Sequence, residues 1–242
     1  MAKTNRRQMY LLKDLSECID ESLAILANVA DQKVMVGFSG GKDSVVTEHL
    51  CKIAGINYDS IYNVTTIDPP EVVKFIHQNY PQTIFSKPKA NFYELCKKNF
   101  SPSIMRRWCC TELKEKKHPG YDFKVLGIRA EESKKRQGRK IVDIKRKTIY
   151  PIYYWAEWHI WEFITQYNLP YLSLYDEGYD RVGCVPCPFH SYKEHLRSMK
   201  RWPHIYRKFK EAIACCHDKD NKPIDSDEWL DQYIKRKGMV DL

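Results

Sequence analysis

Six consecutive residues, Ser39-Gly40-Gly41-Lys42-Asp43-Ser44, bring together two glycines, two hydroxyls, a cation and a carboxylate. The apolar run Val34-Met35-Val36-Gly37-Phe38 precedes them, and a helix-like segment, Val45 to Ala54, follows. A strand, a glycine turn and a helix N-terminus make an anion site. Backbone N–H groups converge there, and the helix dipole favours negative charge. Gly40 and Gly41 let the backbone approach a phosphate closely. Lys42 adds a point charge, and Ser39 and Ser44 add hydroxyls. The stretch is not a G-x-x-x-x-G-K-S/T loop, because Val36 and Asp43 stand where that motif needs Gly and Ser or Thr.

Thiols form the second set of chemical groups. The chain holds nine cysteines, two of them adjacent (Cys109-Cys110) and two spaced C-x-x-C (Cys184, Cys187). An odd number of cysteines in a reducing compartment argues against a disulfide framework, so metal or cluster ligation is expected. Cys18, Cys51 and Cys96 fall on apolar faces and read as small buried residues. Cys215-Cys216-His217 reads as a helix end or a pair of reactive thiols.

Composition narrows the setting. The 242 residues carry a formal charge of +9, with 43% hydrophobic and 13% aromatic content, so the chain is globular. Its positive charge suits polyanions such as nucleotides, DNA or RNA. The basic stretches are Lys134 to Lys140, Lys145-Arg146-Lys147, and Lys193 to Lys210. No apolar run approaches the ~20 residues of a membrane span. The basic N-terminal residues 1–7 lead into no apolar signal core, so a cytoplasmic protein without membrane contact is expected.

The elements that must position these groups follow from periodicity. Apolar residues from Leu11 and Leu12 to Val29 predict an amphipathic helix over residues 8–29. Strands are predicted at Lys33–Phe38, Ser60–Thr66, Thr83–Ser86, Lys124–Ile128 and Thr148–Ile152. Helices are predicted at Val45–Ala54, from Pro70 through Ile76, at 91–98, in a short turn after Cys110, at Trp155–Tyr167, at 192–215 and at 227–236. Strands alternating with helices specify a mainly parallel α/β sheet with helices on both faces. Ligands in such sheets bind beyond the carboxyl ends of the strands. Asp43, Asp68 and Arg129 all fall just after predicted strands. The alternation stops near Gly178–Gly183, giving an expected division into residues 1–182, with the loop and the N-terminal helix, and residues 183–242, a cysteine turn with a helical extension packed on it.

The loop resembles the SGGxDS loop of the PP-loop ATP pyrophosphatase superfamily. Gly127-Ile128-Arg129-Ala130-Glu131-Glu132-Ser133, followed by Arg136, looks like the GxRxxxS..R segment of the phosphoadenylylsulfate (PAPS) reductase family. Pro151-Ile152 through Leu174-Tyr175, and Asp176-Glu177-Gly178-Tyr179 with Gly183-Cys184-Val185-Pro186-Cys187-Pro188, resemble that family's later segments. The resemblance covers about residues 30–190. It implies the PP-loop fold, with an adenine nucleotide on Ser39, Gly40, Gly41, Lys42, Asp43, Ser44, Asp68, Gly127, Arg129 and Arg136. Lys42, Asp43 and Arg129 would act on the reacting phosphates. The family often reads Asp-Thr-Gly after its second strand, where this chain reads Ile67-Asp68-Pro69.

Cys109-Cys110 with Cys184-x-x-Cys187 resembles the signature of adenylylsulfate (APS) reductases, in which four thiolates hold one [4Fe–4S] cluster. Zinc and unmetallated thiols are the alternatives, although adjacent cysteines suit tetrahedral zinc poorly. Sulfonucleotide reductases also carry a Glu-Cys-Gly-x-His motif near the C-terminus, and residues 217–242 contain no cysteine. The resemblance therefore implies an enzyme that uses Mg²⁺ and ATP, cleaves between the α and β phosphates, and transfers sulfur with help from the cluster. A nucleic acid is compatible as acceptor, and a sulfur- or electron-donor protein is an expected partner. The alternatives are an APS or PAPS reductase releasing sulfite, and a non-catalytic nucleotide-sensing regulator that binds DNA.

Overall fold

The computed structural model describes residues 13–99, 102–216 and 222–235. Leu11 and Leu12 of the expected first helix, the basic residues 1–7 and His217 lie outside the described residues. Helix α1 runs Leu15–Ala27. Asp14 caps it by accepting a hydrogen bond from the Glu17 N–H at 2.8 Å. Leu15, Cys18, Ile19 and Leu26 are its buried apolar positions, so one face is apolar.

Six strands form one sheet, β1 (Val34–Gly37), β2 (Tyr58–Asn63), β3 (Ile84–Ser86), β4 (Phe123–Leu126), β5 (Val142–Asp143) and β6 (Thr148–Ile149). Their order is β3-β2-β1-β4-β6-β5. Strand β1 pairs in parallel with β2 and β4, placing Val34 opposite both Tyr58 and Phe123. Strand β4 continues in parallel to β6, and the edge strand β5 runs antiparallel to its neighbour. The expected α/β class is therefore observed, as a mostly parallel sheet flanked by helices. Helix α2 (Lys42–Ile53) follows β1, and α3 (Pro70–Asn79) opens with its proline at the first turn.

Several elements differ from their predicted bounds. Helix α2 starts at Lys42 rather than Val45, because the loop itself forms its first turn. The strand expected to run on to Ile152 stops at Ile149, and residues 151–154 turn. Strand β5 is not predicted, since its two residues are too few to show alternation. The stretch 192–215 is two helices, because Trp202 precedes Pro203 and leaves the helical region (φ −127°, ψ 61°).

The chain divides into two compact units. The first lies within Met1–Tyr62, Lys74–Phe85 and His118–Arg181, the second within Asn63–Val73, Ser86–Lys117 and Val182–Leu242. The sequence reading places one boundary, at 182/183. In the structure the second unit also takes the segments that follow β2 and β3. Backbone bonds tie them in, from the Val185 N–H to the Ile67 carbonyl at 2.8 Å and from the Val64 N–H to the Ser86 carbonyl at 3.1 Å.

The first unit's core joins α1, α2, β1, β4, β6 and α6 (Glu157–Gln166) through Leu26, Val36, Leu50, Val125, Ile149 and Phe163, all essentially fully buried. Each such side chain contributes about 1.5–3 kcal/mol on burial. Between β4 and β5 a short helix, α5 (Lys134–Gln137), follows Ser133. The second unit holds α4 (Phe92–Cys96), α7 (Tyr192–Arg201), α8 (Pro203–Ile213) and α9 (Ser226–Lys235). The second unit's core is aromatic. Phe92 stacks on Phe209 at 5.5 Å, Phe209 meets Tyr233 at 5.5 Å, and Trp229 stacks on Tyr233 at 4.6 Å.

Candidate functional site

In the first unit, β1 delivers its carboxyl end to the loop. Gly40 adopts φ +74°, a conformation that L side chains rarely take. Ser44 Oγ donates to the Gly41 carbonyl at 2.7 Å and accepts the Ser39 N–H at 3.1 Å, so the serine closes the loop on itself. The Lys42 N–H, one of the first-turn donors of α2, bonds to Tyr175 Oη at 3.0 Å. Burial raises the Tyr175 phenol pKa above its ordinary value. Gly127 closes the packing, because a Cβ there would come within 2.6 Å of the Asp43 carbonyl oxygen and 2.7 Å of Thr47 Oγ1. Only glycine lets the end of β4 approach the first turn of α2 so closely.

The charges of this site are mutually engaged. Arg129 is 4% exposed. Its Nε donates to Asp43 Oδ1 at 2.5 Å and its Nη1 to Glu131 at 2.8 Å. Lys42 is equally buried, and its Nζ bonds to the Asp180 carbonyl at 3.0 Å and pairs with Glu157 at 3.1 Å. Arg136 pairs with Glu132. Burial, then Arg181 and Arg139, pulls the Arg136 pKa down to about 10. A guanidinium crowded by others in this way gains from an anion. The loop, Gly127, Arg129 and Arg136 therefore share the first unit.

Asp68 lies in the second unit. Its charge, after that of Cys184, raises the pKa of Lys114. Lys114 ends a π-helical turn, Cys110–Lys114, that begins at the adjacent cysteines. A small cleft in this unit is lined by Cys109, Cys110, Cys184 and Cys187, with Lys114, Phe92, Phe209 and Tyr233 among its walls. Burial pushes the Cys184 thiol up to about 12. The Cys110 thiol is held below its ordinary pKa, first by the hydrogen bond from Cys109 and then by that from Arg107. Among the described residues, no group of three His, Cys, Asp or Glu side chains is arranged to hold a metal ion. The donor set nonetheless fits a four-thiolate centre. All four cysteines line one cleft, the Lys114 cation beside them offsets thiolate charge, and the Tyr233 hydroxyl there is buried with no hydrogen-bond partner among the described residues.

Cys18, Cys51 and Cys96 are buried, at 2%, 0% and 0% exposure, as expected of packing cysteines. Cys216 is buried too and donates to the Cys96 carbonyl at 3.1 Å, while Cys215 is exposed. Sequence reasoning missed Tyr175, Glu157, Asp180, Lys114 and Tyr233. Lys114 had a signal, one helical turn after Cys110. Asp180 acts through its backbone carbonyl, which no residue type reveals. Among the described residues, no helix is long and apolar enough to cross a membrane.

The sequence family described as phosphoadenosine phosphosulfate reductase domain matches residues 33–190. An uncharacterized protein of Methanocaldococcus jannaschii is 32% identical over 205 residues, which is 78% of this chain and 43% of that protein. An adenosine 5'-phosphosulfate reductase of Anoxybacillus flavithermus is 30% identical over 82 residues, 32% of this chain and 35% of that protein. The chain thus spans about half or less of the length of these curated relatives. Among solved structures, a phosphoadenylyl-sulfate reductase of Candida auris in complex with phosphate matches with a TM-score of 0.52 and 18% identity. That match covers 77% of this chain and 97% of the other, and it speaks to the fold.

Proposed function

Because the chain belongs to the phosphoadenosine phosphosulfate reductase family, we propose that it binds an adenine nucleotide on the Ser39–Ser44 loop and activates an acceptor by adenylylation. The observation that carries this reading is the loop itself. It is closed by Ser44, opened by Gly40 at φ +74°, and set at the first turn of α2 with Arg129 and Asp43 in contact. In the reaction, an acceptor oxygen attacks the α phosphorus of Mg²⁺-bound ATP. The bond to the α–β bridging oxygen breaks, and pyrophosphate leaves with the electron pair. First-turn N–H groups and Lys42 bear the charge of the departing phosphates, while Arg129 and Arg136 supply planar donor forks for phosphoryl oxygens. The work is positioning and charge stabilisation in a site where the charges are already ordered.

Cys109, Cys110, Cys184 and Cys187 would hold a [4Fe–4S] cluster, which supplies sulfur-binding and electron chemistry when bound. Lys114 counters thiolate charge in that cleft. The acceptor reading favours a polyanion. Strands β5 and β6 form a hairpin whose turn exposes Lys145, Arg146 and Lys147 beside Ile144, itself 77% exposed. A basic hairpin tip with an apolar contact suits a nucleic-acid backbone.

The test is to incubate anaerobically reconstituted protein with ATP, APS and PAPS in turn, with a thiol reductant and with bulk RNA or DNA as acceptor. Pyrophosphate from ATP supports adenylylation. Sulfite from APS or PAPS overturns it in favour of reduction, the second reading, which the similarity to an APS reductase favours.

A further inference from the structure

The wall of the cysteine cleft is apolar where α8 and α4 supply Phe209 and Phe92. Helix α9 supplies a tyrosine instead. Tyr233 is 1% exposed, and its hydroxyl has no hydrogen-bond partner among the described residues. A phenylalanine would fill the same space without a desolvated hydroxyl, and an unsatisfied buried hydroxyl is costly. The ring has little freedom to take the hydroxyl elsewhere. It is stacked on Trp229 at 4.6 Å and braced by Phe209 at 5.5 Å and His195 at 5.4 Å. The hydroxyl also stands within electrostatic range of Cys187, Cys109 and Cys184, three of the four thiols on the cleft. Nearby Tyr206 makes a contrast, since its hydroxyl donates to the His195 carbonyl at 3.2 Å.

We infer that the Tyr233 hydroxyl donates a hydrogen bond to the sulfur shell of the centre held by Cys109, Cys110, Cys184 and Cys187, and thereby raises its reduction potential. The inference rests on the iron–sulfur reading of the cleft. Reduction adds negative charge to the sulfurs, and a hydrogen-bond donor stabilises the reduced form more than the oxidised one. Tyr233 is thus a positioning and tuning residue outside the ligand set. Its place on α9 gives that helix a task beyond packing.

The experiment compares anaerobically reconstituted full-length protein, the Tyr233→Phe variant, and protein carrying 3-fluorotyrosine at position 233. Iron and sulfide content and the midpoint potential, from an EPR-monitored redox titration, are measured for each. The expected result is unchanged iron and sulfide, a lower midpoint for Tyr233→Phe, and a higher one for the more acidic fluorotyrosine. Equal midpoints with the cluster intact overturn the hydrogen bond and leave the cluster reading standing. A wild-type chain that takes up no iron overturns both. Should Tyr233→Phe not fold, the fluorotyrosine protein, which keeps ring and hydroxyl, decides alone by the presence or absence of an upward shift.

Discussion

At the scale of single residues, the loop is held by contacts that are individually replaceable in the laboratory. Arg129 forks between Asp43 and Glu131, which a lysine cannot reproduce with one ammonium group. Arg129→Lys is expected to weaken ATP binding about 10- to 100-fold, or about 1.4–2.8 kcal/mol, by calorimetry. An affinity equal to wild type would remove Arg129 from the site. Gly127→Ala forces a methyl against the Asp43 carbonyl, so a stability loss of about 1–3 kcal/mol is expected in urea unfolding. The residue types at 39–44 and at the four cysteines could be read directly. The pairing of Lys42 with Glu157 and of Arg129 with Asp43 could not, because the partners lie far apart along the chain.

At the scale of elements, the β5–β6 hairpin makes a clear test of the acceptor. Its strands are two residues each, and its charge sits on the turn. Replacing Lys145, Arg146 and Lys147 with alanine is expected to weaken RNA or DNA binding and to reduce the log–log salt slope by about 2–3, as each lost phosphate contact removes about 0.7–0.9. ATP affinity should not change. A changed aggregation tendency with an unaltered salt slope would instead assign the charges to guarding the edge strand β5. Of the hairpin, the sequence predicted the strand that holds β6 but not its two-residue partner β5, which is too short to show a period. The break between α7 and α8 was legible in principle at Pro203, since a proline bars its predecessor from helical geometry.

At the scale of the molecule, the two units carry different chemistry, the loop and its arginines in one and the four-cysteine cleft in the other. Ligands of each should therefore protect different segments. In hydrogen–deuterium exchange, ATP is expected to slow exchange at 39–44 and 127–136, and iron–sulfur reconstitution to slow it at 107–114 and 184–190. At ligand concentrations 100 times Kd, binding stabilises by about 2.7 kcal/mol, enough to read in either unit. Removing iron with a chelator should reverse the second pattern alone. Reconstitution that leaves 107–114 and 184–190 unprotected counts against cysteine ligation.

The alternation of strands and helices that makes the α/β class, and the residue types of the loop and of the paired cysteines, were determined by the sequence itself. They depend on local period, turn chemistry and residue type, which are properties of neighbouring positions. Only the tertiary structure decided that Asp68 accompanies Lys114 in the second unit, that Lys42 and Arg129 are ion-paired, and that Tyr233 stands among thiols. Those facts depend on which distant segments meet. The buried groups involved then have few partners to choose from, because a desolvated charge or hydroxyl must take whatever the fold brings within reach.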